Sequence, residues 1–393
     1  MAAMEKNNKN LNVPNLRFPE FSGEWETYRL GELVEIKSGV SPTGIMDENG
    51  IFPFYKVEQL NNCYIELDET PYRTMQSAVP AHSIIFPKRG AAIMTNKIRV
   101  ASKPCQLDTN LMALLLKNNE NVDYKFLFYF IARYNLSKIA DTSTIPQINN
   151  IHISPIKITL PSIQEQRKIS KLLTILDTKI ETQRKIIEDL KKLKDAICNH
   201  NFTSGSSLML GDVGYFVRGL TYSASDVIDD TTGTAVLRSN NISNGAPVNF
   251  DELVWVNKTP NHEQRLRDGD IVICMANGSS PLVGKASYYI DGGIASSTVG
   301  AFCGIYRSDN PLIKWLFQSR HYKQHIQQCV QGGNGAIANI YPEDILTISF
   351  NIPADHERLL NTLNSLEEKN LVEQKLLNRY LGVKYYLLSQ IFI

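Results

Sequence analysis

Residues 163–200, IQEQRKISKLLTILDTKIETQRKIIEDLKKLKDAICNH, decide how this chain is read. Seam positions alternately four and three apart run through Ile169, Leu173, Leu176, Ile180, Gln183, Ile187, Leu190, Lys194 and Ile197. That spacing keeps one stripe of a helix facing a partner helix, the pattern of a coiled coil. Thirty-eight residues at about 1.5 Å per residue span roughly 57 Å. The same frame returns 190 residues later as Leu359, Leu363, Leu366, Asn370, Glu373, Leu377, Tyr380, Lys384 and Leu387. Polar residues break both stripes at matching places: Gln183 stands opposite Glu373 in the alignment, and Lys194 opposite Lys384. Polar breaks of this kind fix register and partner at some cost in stability.

Outward from the helices, the segments before them match as well. Leu30-Gly31-Glu32-Leu33 aligns with Leu210-Gly211-Asp212-Val213 at an offset of 180. Lys125, Leu127 and Phe128 align with Lys314, Leu316 and Phe317 at 189, and Ile145, Ile148, Ile156 and Pro161 with Ile337, Ile340, Ile348 and Pro353 at 192. The growing offset is what loop insertions produce, and the prolines close each segment before its helix. The chain therefore carries an internal repeat, mixed segment then long helix, which suggests a device that reads two sites at a fixed distance.

Composition fits a cytoplasmic protein. The longest purely apolar run, Phe126 to Ala132, is too short to cross a bilayer, so no membrane span is expected. The start, MAAMEKNNKNLN, lacks the apolar stretch of a secretion signal and reads as a disordered tail. Cys63, Cys105, Cys198, Cys274, Cys303 and Cys329 form no CxxC pair and read as reduced core thiols.

A formal charge of +1 excludes a uniformly basic coat, yet charge is unevenly placed. Between Thr70 and Leu107 stand Arg73, Lys88, Arg89, Lys97, Arg99 and Lys103 with no acid; between Asn310 and Pro342 stand Lys314, Arg320 and Lys323, again with no acid. Each window could face phosphates, or be a solvated face balanced by acids nearby. Loops with base-reading side chains sit in corresponding places: 88–97, KRGAAIMTNK, follows the expected strand Ser83 to Phe86, and 275–285, MANGSSPLVGK, follows Asp270 to Ile273. Arg or Lys can grip guanine, and Asn or Gln adenine, through paired hydrogen bonds. The candidates for DNA contact in the first half are Lys56, Lys88, Arg89, Thr95, Asn96, Lys97, Arg99, Thr144, Gln147 and Asn149. In the second half they are Arg238, Asn240, Asn241, Asn277, Ser279, Ser280, Lys285, Asn334 and Asn339. Asn and Gly are also common turn formers, so part of this set is expected to serve the fold alone.

Catalytic motifs are near misses. Gly278 to Lys285 has one residue too many between its glycines for a phosphate loop, and Ala286 stands where a hydroxyl should bind magnesium. His321, His325 and Cys329 share helical spacing, but no second cluster completes a zinc site, and a plain helix face is the simpler reading. HExxH, GxSxG and the Asn/Asp-Pro-Pro-aromatic tetrapeptide of amino-group DNA methyltransferases are absent from the sequence. No catalytic residue, metal site or cofactor is expected in this chain.

Over nearly its full length the chain resembles the specificity subunit of type I restriction-modification systems. The resemblance is carried by VPNLRFPEFSGEW (Val13 to Trp25), YRLGELVEIKSG (Tyr28 to Gly39) and LPSIQEQRKISKLLTILDTKI (Leu160 to Ile180) in that order. It implies a mixed α+β fold: two α/β target recognition domains separated by two long helices packed as an antiparallel coiled coil, with an internal pseudo-two-fold repeat. It also implies double-stranded DNA as ligand, one half of an interrupted target per domain. The implied partners are two methyltransferase subunits using S-adenosylmethionine on adenine N6, and restriction/translocase subunits using ATP and magnesium. Asp355-His356 departs from the pattern, replacing the Glu165-Gln166 of the first copy, which puts equal partner docking at both helices in question.

The expected boundaries are a tail at 1–15, recognition domains at 16–160 and 203–353, and spacer helices at 161–202 and 354–393. Lengthening the first helix should widen the gap between half-sites without changing them. Two rival readings stand beside this one: a coiled-coil adaptor that binds no DNA, and a stand-alone DNA-modifying enzyme.

Overall fold

Both heptad segments are continuous helices, Ile163–Asn201 and His356–Ile391, in a computed structural model that describes residues 12–61, 65–118, 120–141, 145–203, 205–332 and 337–393. The chain divides into two compact units: unit 1 is 1–185 with 375–393, and unit 2 is 186–374. The division falls inside the helices, so each unit contains half of each.

In unit 1 the helix halves run antiparallel. Ile169 and Leu173 share one core with Leu387, Leu388, Ile391 and Phe392, and Lys384 Nζ lies 2.6 Å from Asp177 Oδ1. Unit 2 repeats the arrangement, with Ile197, Cys198 and Phe202 clustered with Leu359, Leu360 and Leu363. Ile169, Leu173, Leu176, Ile180, Leu359, Leu363 and Leu377 are buried, and Ile187, Leu190, Leu366, Tyr380 and Leu387 half-buried. Full burial of such a side chain is worth about 1.5–3 kcal/mol, which is what holds a helix this polar in place.

Each unit builds the same sheets from matched segments. In unit 1, Val34–Ser38, Leu111–Leu116, Ile84–Pro87 and Arg99–Val100 form an antiparallel sheet in that spatial order. Its unit 2 counterpart is Tyr215–Arg218, Cys303–Arg307, Ile271–Cys274 and Ala286–Tyr288. Beside it lies a second sheet with one parallel pairing, Phe52–Tyr55 with Gln106–Leu107 in unit 1 and Thr234–Leu237 with Ser297–Val299 in unit 2. The first strand crosses between sheets at a glycine each time. A Cβ on Gly39 would stand 2.0 Å from Asp108 O, and one on Gly219 would stand 2.2 Å from Gly300 O, so backbone contact demands glycine at both.

The aligned LGEL and LGDV segments are one-turn helices, Leu30–Leu33 and Leu210–Val213. Ile148 and Ile340 are buried, as are Ile156 and Ile348, while Ile145 and Ile337 are both exposed. The repeat differs at one helix. Tyr124–Tyr134 is unbroken and capped by Asp123, whereas its counterpart stops after Ile313–Leu316 and restarts as Arg320–Cys329 on a new cap, Ser319. Ser319 occupies the place of the buried Phe130, and a hydroxyl that accepts a backbone N–H favours a fresh helix start.

Of the cysteines, Cys105, Cys198, Cys274 and Cys303 are buried free thiols and Cys329 is half-buried; Cys63 lies outside the described residues. Among the described residues no helix is long and apolar enough to cross a membrane, and no group of three His, Cys, Asp or Glu is placed to hold a metal. His325 Nε2 meets Asp344 O at 2.9 Å and His321 packs edge-on against Phe350, so this face serves the core.

Candidate nucleic-acid interface

Backbone hydrogen bonds align the two candidate faces residue by residue. In unit 1, Lys88 N donates to Asn110 O and Ile148 N to Lys88 O; in unit 2, Met275 N donates to Phe302 O and Ile340 N to Met275 O. Arg89 bridges Gln147 as Ala276 pairs with Asn339. Lys56 and Arg238 each link a strand, Phe52–Tyr55 or Thr234–Leu237, to a short 3-10 turn, Val57–Asn61 or Ser239–Asn241, with the backbone N–H held at 2.8 Å by Gln59 Oε1 or Asn241 Oδ1.

On the unit 1 face the structure brings together Lys88, Arg89, Gln147 and Asn149. Gln147 Nε2 donates to Asn149 Oδ1 at 2.9 Å. Burial, with Arg89 alongside, pulls the Lys88 ammonium below its ordinary pKa, and Asp108 opposes the shift. An anion brought to this pair would relieve that strain in charge. Lys56 lies 3.6 Å above the Tyr72 ring, a cation on an aromatic face. Other candidates hold hydrogen bonds within the unit. Asn96, in the left-handed region, donates to Ala132 O at 2.9 Å and accepts from Leu136 N; Thr95 donates to Ala92 O, Lys97 to Asn61 Oδ1 and Arg99 to Ile98 O.

On the unit 2 face Arg238 and Asn277 meet at a cavity of about 420 Å³, with Tyr222, Ser239, Phe302 and Ile337 among its walls. Asn277 Nδ2 donates to Ser239 Oγ at 3.2 Å, and its Oδ1 accepts from Ser279 N. Arg238 is exposed, and no hydrogen bond or ion pair of its guanidinium is found among the described residues. Asn240, Ser279 and Ser280 are exposed and Lys285 half-buried.

Asn241 is placed otherwise than a base contact requires. It is 1% exposed, and its amide accepts from Arg238 N and donates to Asn249 O and Asp251 O. All three bonds of its amide point inward, so it shapes the turn that presents Arg238. Asn339 Oδ1 is buried with no hydrogen-bond partner among the described residues. Thr144 and Asn334 lie outside the described residues.

Sequence reading passed over Asn110, Tyr72, Tyr222, Phe302 and Ile337 as site residues. The signal that finds Phe302 and Ile337 is exposure of a large apolar side chain, 64% and 56%, at the edge of a cavity.

The family model for the type I restriction modification DNA specificity domain matches residues 22–192. The type I restriction enzyme MjaVIII specificity subunit of Methanocaldococcus jannaschii is 24% identical over 94% of this chain and 91% of its own length. Among solved structures, the type I restriction-modification S subunit from M. genitalium superposes with a TM-score of 0.59 at 15% identity, covering 97% of this chain and 99% of that one. A chain described for complex assembly and conformational transition of the type I system gives 0.53 at 14% identity over 93% of this chain and 97% of its own. The repeated mixed units and paired long helices are thus the fold of a type I specificity subunit. Residues 22–192 match that family's DNA specificity domain, and the chain is similar to its specificity subunits over nearly its full length.

Proposed function

We propose that this chain is the DNA-reading, non-catalytic subunit of a type I restriction-modification enzyme, with one half of a bipartite target read by each unit. The observation that carries the reading is the pair of aligned faces. The same backbone scaffold, built twice, presents Lys88, Arg89 and Gln147 in one unit and Arg238 and Asn277 in the other. Cationic and carboxamide groups on loops over a rigid sheet are the chemistry of base-edge and phosphate contact.

Recognition domains would occupy 16–160 and 203–353, and the helices would set the distance between half-sites. Methyltransferase subunits that bind S-adenosylmethionine would dock on the helices, where Val372, Val383, Tyr385 and Tyr386 stand exposed. Restriction/translocase subunits would supply ATP- and magnesium-dependent cleavage. The work would take place in the cytoplasm.

The test is adenine-methylation mapping by long-read sequencing in cells expressing the chain with a compatible methyltransferase subunit. A new bipartite motif is expected. An assembled complex that yields no motif would overturn the reading in favour of an adaptor, and methylation by the pure chain would favour the stand-alone enzyme. Because the seam is antiparallel within each unit, a heptad added to both helices should lengthen the gap while each half-site stays the same.

A further inference from the structure

The two faces share a scaffold but not a chemistry. Where unit 1 has Lys88, Arg89 and Asn110, the hydrogen-bond pattern places Met275, Ala276 and Phe302 in unit 2. Two cations and a carboxamide become three apolar groups. Phe302 sits at a turn tip, 64% exposed, at the mouth of the 420 Å³ cavity that Arg238 and Asn277 also line. Tyr222 and Ile337 extend the apolar wall. Phe302, Tyr222 and Ile337 together make a continuous apolar wall beside Arg238, Ser239 and Asn277, and an exposed apolar patch rimmed by polar groups marks a place of binding. The polar groups at the same mouth define the occupant as one that mixes hydrogen-bonding and apolar surface.

In the major groove only one base edge offers an apolar group, the C5-methyl of thymine. We infer that unit 2 selects thymine over cytosine in its half-site by seating that methyl group against Phe302. Arg238 beside it supplies the cationic contact, and unit 1, with Asn110 at the equivalent position, lacks this selection. The inference rests on the proposed DNA-reading role and adds to it which base is read, by which side chain and in which unit.

The experiment uses the full chain assembled with its methyltransferase subunit and duplexes carrying the mapped motif. Each thymine is replaced in turn by deoxyuridine, which removes only the methyl group. At one thymine in one half-site binding should weaken about fourfold, the worth of one buried methyl group. At that position cytosine should bind poorly and 5-methylcytosine should recover about the same factor. Phe302→Ala should abolish the uracil effect there, Phe302→Leu should keep most of it, and the other half-site should respond to neither variant. A motif in which every uracil substitution is neutral, or a sensitive thymine that ignores Phe302→Ala, would overturn the inference while leaving the DNA-reading role intact. A wild-type complex that yields no motif would instead overturn that role. The uracil series leaves the protein unaltered, so a neutral series overturns the inference even where a variant fails to assemble.

Discussion

In unit 1 the first long helix starts on Glu165 and Gln166, 1% and 0% exposed. Arg17 binds both Glu165 oxygens at 2.8 Å. Gln166 donates to Asn121 O and Pro161 O and accepts from Asp123 N. In unit 2 the same two positions are Asp355 and His356, both exposed, with Arg358 4.0 Å from Asp355. A second contrast lies in the seam. Unit 1 buries Asp177 completely against Lys384 and the Tyr129 hydroxyl. At the equivalent site in unit 2, Lys194 donates to Gln318 Oε1 at 2.7 Å, while Glu367 is held by Lys314 and the Tyr288 hydroxyl. Burial lowers the Lys194 pKa and Glu367 raises it. The repeat thus keeps its geometry while its buried charges are satisfied by different neighbours, one concentrated pair in unit 1 and several lighter bonds in unit 2.

The largest break in this comparison should come from the seam. Lys384→Met takes the cation from the fully buried Asp177 carboxylate, which keeps the Tyr129 hydroxyl, and should destabilise by about 3–5 kcal/mol, whereas Lys194→Met, whose removal leaves Glu367 with Lys314 and Tyr288, should cost less than about 1 kcal/mol. Chemical denaturation of the purified chain measures both, and equal losses would make the two sites alike. Next comes Glu165→Ala, which takes the carboxylate from a largely buried Arg17 that keeps the Ser22 and Gly23 carbonyls, and should cost about 3 kcal/mol; Asp355→Ala should stay within about 0.5 kcal/mol. Gln166→His, which gives unit 1 the residue of unit 2, orphans a backbone N–H and two carbonyls for a loss of about 2 kcal/mol. The reverse swap, His356→Gln, lies in solvent, and a shift in melting temperature beyond measurement error would show that the second helix start is more constrained than its exposure suggests.

Legibility in the sequence followed periodicity. Ile169, Leu173 and their partners announce themselves because a 3.5-residue repeat is a helix property visible in one dimension. Ile148 and Ile340 were traceable because core positions survive loop insertions. The site was less legible. Asn241 and Asn277 look alike in sequence, and only the fold turns one amide inward to Asn249 and Asp251 and leaves the other at the cavity. Phe302 stands in no pattern, since a single apolar residue in a tight turn has no period. The equivalence of Lys88 with Met275 needs backbone hydrogen bonds between segments far apart in the chain.

Unit 2 is one uninterrupted stretch, 186–374, while unit 1 needs residues 375–393, including Ile391 and Phe392, which pack beside Phe126 and Phe130. On the ribosome the second unit therefore has its whole complement of residues before the first does. The N-terminal half must wait, its aromatic core open, until the last helix has been translated, and during that wait it is the part of the nascent protein most exposed to chaperones and to aggregation.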